Sequence, residues 1–219
     1  MNKFLKTSQG KTVAGLVLII VALFAYYFYA VGTGKVDKVQ DITITNTDHV
    51  RGASGGTVTL VEFGDFQCPA CFAYESIVRQ VVESNPSTVK LVFRNFPLTQ
   101  LHPNALLAAK AAEAAGLQGK FWEMHDMIYD NQKEWAEGLN AKDFFMQYAT
   151  TLKLNLAQFE NDMNSGATEQ KILAEYQEGV RLGVQGTPTF FVNGKMIENP
   201  QSLEAFDKII KDAAGAQTQ

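Results

Sequence analysis

Cys68 and Cys71 are the only cysteines in this chain of 219 residues, and they stand as Cys68-Pro69-Ala70-Cys71. Two thiols at this spacing can interconvert with a disulfide, attacking and leaving through the thiolate. As a purely structural staple the pair would close a tiny loop and add little. A zinc site would need two further ligands, and no second CxxC is present. His49, His102 and His125 are not spaced as a metal pair, so neither a metal nor a cofactor is expected. The CxxxC spacing of copper-delivery proteins is absent as well.

The flanking residues say how the pair is held. Val58 to Phe63, rich in β-branched and apolar residues, reads as a strand. Phe72, Tyr74, Ile77, Val78, Val81 and Val82 then recur at helical spacing. Pro69 suits the first helical position, where its missing N–H costs nothing. That places Cys68 at a helix N-terminus, where free N–H groups and the helix dipole favour a thiolate. Cys71 lies about one turn further in, as the resolving thiol. By alternation Glu62 shares a strand face with Val58 and Leu60, an acid among apolar neighbours. Burial would raise its pKa and let it take and return the proton of Cys71.

Composition sets the setting. The chain is 46% hydrophobic, enough for one well-buried domain and an additional segment. Lys3, Lys6 and Lys11 are the only charges in the first 31 residues, leaving 16 basic against 23 acidic residues beyond. An acidic body of net −7 gives no reason to expect nucleic acid. Val13 to Val31 carries no charge and is long enough to cross a bilayer core as a helix. Tyr26, Tyr27 and Tyr29 sit at its far end, as interfacial aromatics do. With the lysines ahead of it, residues 1–12 are expected in the cytoplasm and the body outside, where disulfides persist. The rival is a cleaved signal peptide ending at Ala30-Val31-Gly32, but its apolar region would span only about 7–15 residues.

Further along, residues 32–56 read as a tether, with a short strand at Asp41–Thr45 and a loop from Arg51 to Gly56. Thr88 to Phe96 is a second strand, making a right-handed parallel βαβ unit. A helical block follows over 101–166: one helix opened by Pro103 and ending near Gly116, then Lys120–Asn131, Ala141–Leu152 behind Asn140, and Leu156–Met163. A further helix capped by Thr168 runs to Gly183. Thr189–Val192 and Lys195–Glu198 flank Asn193-Gly194, a strong hairpin signal. Pro200 starts a last helix, and residues 213–219 form a loose tail. Trp122, Met124, Met127 and Ile128 are expected in the core of the helical block. His102 is expected as a helix-approach residue and His125 as a packed one.

The order βαβ, helical block, ββα over 57–212 is that of an α/β thioredoxin fold with inserted helices, preceded by one transmembrane helix at 13–31. The run Asp48–Cys71 (DHVRGASGGTVTLVEFGDFQCPAC), Phe121–Asp126 (FWEMHD) and Gly186–Gly194 (GTPTFFVNG) resemble the DsbA-like thioredoxin-fold family, particularly its membrane-anchored branch. One departure is Gly55-Gly56-Thr57, where that branch often has Ala-Pro.

The resemblance implies an extracytoplasmic thiol:disulfide oxidoreductase acting on exported cysteine-containing proteins and reoxidised by a quinone-linked membrane partner. It implies a buried acid at Glu62 and a cis peptide before Pro188. The Thr187 backbone would then pair with an extended substrate. Disulfide donation is the expected direction; a reductase or isomerase, or a non-catalytic peptide-binding module, are the rivals. Residues 32–56 are too short for an added dimerisation domain, so a monomer is expected. Ala70 cannot hold the thiolate as a polar residue would, which leaves that task to the helix N-terminus.

Overall fold

The computed structural model describes residues 17, 19–26 and 39–216. It divides into two units, Met1–Lys38 and Val39–Gln219. In the first, residues 17 and 19–26 are helical, and the side chains of these residues are exposed. Among the described residues no helix is long and apolar enough to cross a membrane. The rest of the expected anchor at 13–31, like residues 1–12, lies outside the described residues.

The second unit is built on a five-stranded sheet of order β1-β3-β2-β4-β5. Its strands are β1 (His49–Gly52), β2 (Val58–Gly64), β3 (Val89–Asn95), β4 (Thr189–Val192) and β5 (Lys195–Ile197). Helix α1 (Pro69–Ser84) connects β2 to β3, which pair in parallel from Val58 opposite Val89 to Gly64 opposite Asn95. Strand β4 runs antiparallel to β2, with Phe63 opposite Thr189. The β4–β5 turn uses Asn193 at φ 49° and Gly194 at φ 78°, the left-handed pair that a tight hairpin requires. Asn193 also accepts a hydrogen bond from the Thr59 backbone through its side chain, 2.8 Å, tying the turn back to β2.

Alternation along β2 and β3 sorts side chains into two layers. Val58, Leu60, Val89 and Leu91 pack with Val78, Val81 and Val82 of α1 and with Phe206 and Ile210 of α8 (Leu203–Gly215). On the opposite face Val61, Phe63 and Val92 meet Phe96, Leu182 and Phe191. The helical block comprises α2 (Ala105–Gly116), α3 (Phe121–Asp130), α4 (Gln132–Trp135), α5 (Ala141–Thr151) and α6 (Leu156–Met163), followed by α7 (Gly166–Arg181). Its own core is closed by the alanines of α2, Trp135, Phe145 and Phe159, and it takes in Cys68, Cys71 and Phe66. The dithiol therefore sits on the seam between sheet and helical block.

Several sequence expectations are corrected. Asp41–Thr45 forms no strand; Ile42 and Ile44 pack against the Val61 layer without a backbone ladder. The strand lies instead at His49–Gly52, inside the stretch read as tether, antiparallel to β3. Side-chain anchors hold it: His49 stacks on Phe121 at 3.5 Å, and Arg51 lies over the Trp122 ring at 4.3 Å. Trp122 and Met127 are accordingly only partly buried, while Met124 and Ile128 are core. Asn140 makes no capping bond through its side chain. Ser165, rather than Thr168, caps α7, and Ser202 caps α8, which starts three residues after Pro200. In both cases a serine hydroxyl reaches the N–H three residues on, the geometry that defines the cap.

Candidate active site

Cys68 is the N-cap of α1, in extended conformation, and Pro69 occupies the first turn. Both cysteines are thiols, Cys68 6% exposed and Cys71 1%. The Cys71 thiol donates to the Cys68 sulfur, and the Thr187 side chain and the backbone N–H groups of Cys71 and Ala70 act in the same direction; against desolvation, these lower the Cys68 pKa to about 5. The Thr187 carbonyl lies 3.3 Å from the Cys68 sulfur and accepts from the thiol, so it does not itself favour the thiolate. Cys71 is moved the opposite way. Burial pushes its thiol well above the ordinary value, and the negative charges of Cys68 and Glu62 add to this. One helix turn thus holds a ready thiolate beside a reluctant one.

Beneath Cys71, Glu62 is 2% exposed. Desolvation, then the charges of Glu75 and Cys68, raise its pKa well above a normal carboxylate's. Burial thus favours the protonated carboxyl, which can supply a proton to Cys71. Glu75, one turn beyond Cys71 on α1, is also buried and is held by Arg79 at 3.1 Å.

The Thr187–Pro188 peptide bond is cis, as the resemblance implies. Its loop is fixed by Asn199, whose side-chain amide donates to the Pro188 carbonyl at 2.8 Å, and by Thr189, whose hydroxyl donates to the Gly186 carbonyl at 2.7 Å. The structure therefore brings Cys68, Cys71, Glu62 and the Thr187–Pro188 loop to one place.

Other groups around the motif carry little sequence signal. Asp65 is buried; its carboxylate accepts from the backbone N–H of Gln67 at 2.8 Å and of Leu98 at 2.9 Å, and meets His102 Nδ1 at 2.7 Å. His102 does lie ahead of α2, yet its contact is with the cysteine loop. Gln132, the first residue of α4, donates to the Phe66 and Cys68 carbonyls at 2.8 and 3.1 Å. A lone glutamine in an apolar helical block announces nothing in sequence. His125 is packed as expected, 1% exposed, with Nδ1 3.0 Å from Asp126. Glu75, His125 and Asp126 approach within 4.8 Å of one another. Arg51 at 2.7 Å from Asp126 and Arg79 beside Glu75 already supply the positive charge there.

A family model described as Thioredoxin matches residues 44–212. "Probable disulfide bond formation protein D" of Bacillus cereus is 32% identical over 205 residues, covering 89% of this chain and 92% of that protein. "Na(+)/H(+) antiporter NhaA 3" of Salinispora tropica is 40% identical over 183 residues, which cover 82% of this chain. The chain spans only 27% of that antiporter's length. Among solved structures, a thioredoxin-like oxidoreductase from Silicibacter pomeroyi superposes with TM-score 0.66 at 27% identity, covering 80% of this chain and 94% of that one. Oxidised BdbD from Bacillus subtilis gives 0.69 at 21% identity, with 82% and 99% covered, and shows the shared fold.

Proposed function

We propose that this chain, which belongs to the thioredoxin family and resembles its DsbA-like members, is a thiol:disulfide oxidoreductase that donates the Cys68–Cys71 disulfide to exported proteins. The observation that carries the reading is the opposed pair: Cys68 with a pKa of about 5 and, one turn on, Cys71 raised well above normal. A client thiolate attacks Cys68 Sγ, and Cys71 leaves as a thiolate that takes a proton from Glu62. A second client thiolate then attacks the client sulfur of the mixed disulfide, and Cys68 departs. A low leaving-group pKa speeds that last step and stabilises the reduced enzyme, which makes the disulfide oxidising.

The Thr187–Pro188 loop would receive the client as an added strand, using backbone groups beside Cys68. A helix at 13–31 anchors a monomer whose domain at 57–212 faces away from the cytoplasm. A quinone-linked membrane partner restores the disulfide, and the shared membrane raises the effective concentration of the two.

The deciding experiment is the reduction potential of the Cys68–Cys71 pair by equilibration with glutathione. A disulfide donor is expected at about −120 to −180 mV. A value near −270 mV, roughly that of thioredoxin, would make it a reductase. Cys68→Ser is expected to abolish both insulin reduction and oxidative refolding. Turnover in its absence would overturn the oxidoreductase reading.

A further inference from the structure

Tyr129 of α3 is 1% exposed, and its hydroxyl finds no hydrogen-bond partner among the described residues. Such a group is costly to keep unless it serves a purpose. Its position is specific. Glu62 and Gly64 alternate onto one face of β2, and a Cβ at position 64 would lie 3.2 Å from the Tyr129 oxygen. The hydroxyl thus rests against the end of β2, one pleat beyond the buried Glu62. The rings of Phe66, His125 and Phe93 pack on the tyrosine at 5.0, 5.0 and 6.5 Å.

On its other side Tyr129 helps wall a cavity of about 620 Å³ between α1 and α3, together with Glu75, Arg79 and Asp130. Tyr129 thus touches the strand that carries the buried Glu62 and lines the cavity that Glu75 borders. We propose that the Tyr129 hydroxyl relays protons between Glu62 and the Glu75 cavity, and so connects the buried Cys71 to solvent. This rests on the oxidoreductase reading above.

When a client dithiol reduces the enzyme, the Cys68–Cys71 bond breaks, the client S–S bond forms, two electrons pass to the enzyme pair, and the client's two thiol protons go to solvent. Cys68 is left as a thiolate, and Cys71 takes one proton from the Glu62 carboxyl. Glu62 is then a carboxylate in apolar surroundings. Tyr129 gives it the hydroxyl proton and in the same event accepts another from the Glu75 side. A hydroxyl both donates and accepts, which a relay requires. The tyrosine never becomes a free phenolate, consistent with burial holding its ionisation well above the ordinary value.

The charged groups facing this route sort by side. Asp65 and Cys71 face the hydroxyl from the active-site loop and α1. Arg79 and Asp130 border the cavity, while Arg51 and His125 are engaged with Asp126.

The test is stopped-flow reduction of the oxidised full-length protein by a dithiol peptide, with a pH-indicator dye following proton uptake. In Tyr129→Phe, which keeps the ring, release of the client's two protons is expected to stay with disulfide cleavage, while the uptake of one proton lags it by tenfold or more. Its pH profile should shift while the Cys68 thiolate absorbance does not. Should Tyr129→Phe not fold, Glu75→Gln is expected to produce the same lag. Coupled uptake with a wild-type pH profile in a folded variant would overturn the relay and leave the oxidoreductase reading intact. A wild-type protein that exchanges no disulfide would overturn both.

Discussion

The Cys68 sulfur lies 3.3 Å from the Thr187 carbonyl, two groups 119 positions apart in the chain. Their meeting sets the chemistry of the site, because a thiol uses that carbonyl and a thiolate cannot. A client strand on the loop would present its own sulfur across the same gap. Reduced protein is therefore expected to bind a cysteine-free client peptide more weakly at pH 4, where the Cys68 thiol occupies the carbonyl, than at pH 7. Isothermal titration at the two pH values measures this, and equal affinities would remove the carbonyl from client recognition.

The low pKa of Cys68 makes the stability of the reduced form depend on pH. An unfolded thiol titrates near about 8.5, whereas this one titrates at about 5. The folded value is depressed, so the stabilisation is fully present above the unfolded value and is lost as pH falls through about 5. Relative to Cys68→Ser, reduced wild type should gain stability steadily from pH 5 to 8.5. Denaturant titration of both proteins at four pH values checks this.

Glu62→Gln removes the proton donor to Cys71 while keeping the shape. General acid–base catalysis contributes about 10²–10⁴-fold, so turnover of a dithiol peptide is expected to fall about 10²-fold or more. Stability should move the other way. The folded pKa of Glu62 is raised, so its carboxyl burdens the fold increasingly as pH rises above the unfolded value of about 4.3. The glutamine variant is expected to unfold at higher denaturant than wild type at pH 8, with the advantage vanishing at pH 4.

Gln132→Ala removes the side-chain donor from the Phe66 carbonyl and leaves the Cys68 carbonyl with the Phe72 N–H alone. Such loss costs about 1–3 kcal/mol, and it loosens the loop that holds the nucleophile. Both the unfolding midpoint and the Cys68 thiolate absorbance should change. A shifted midpoint with an unmoved thiolate titration would make Gln132 purely structural.

Gly64→Ala is expected to destabilise by about 1–3 kcal/mol through overpacking. The added Cβ would fall 2.4 Å from the Phe93 ring. Thermal unfolding against wild type measures it.

Much of the site was legible because its signals are local. Pro69 suits a first helical turn wherever it occurs, and alternation places Glu62 with Val58 and Leu60 from six residues alone. Asn193-Gly194 marks its hairpin without help from the rest of the chain. Strand β1 was not legible: His49–Gly52 has no alternation of its own and exists because β3 offers an edge and Phe121 and Trp122 offer rings.

The sequence by itself determined a CxxC at a strand-to-helix junction, an acid on the strand beneath it, and a proline loop ahead of a hairpin. Only the tertiary structure decided how these meet. The register that sets Phe63 opposite Thr189 carries the Thr187 carbonyl to Cys68, and the folding of α3 and α4 onto the seam brings Tyr129 and Gln132 to it. Register and packing depend on residues far apart in the chain, and no short window of sequence contains both partners.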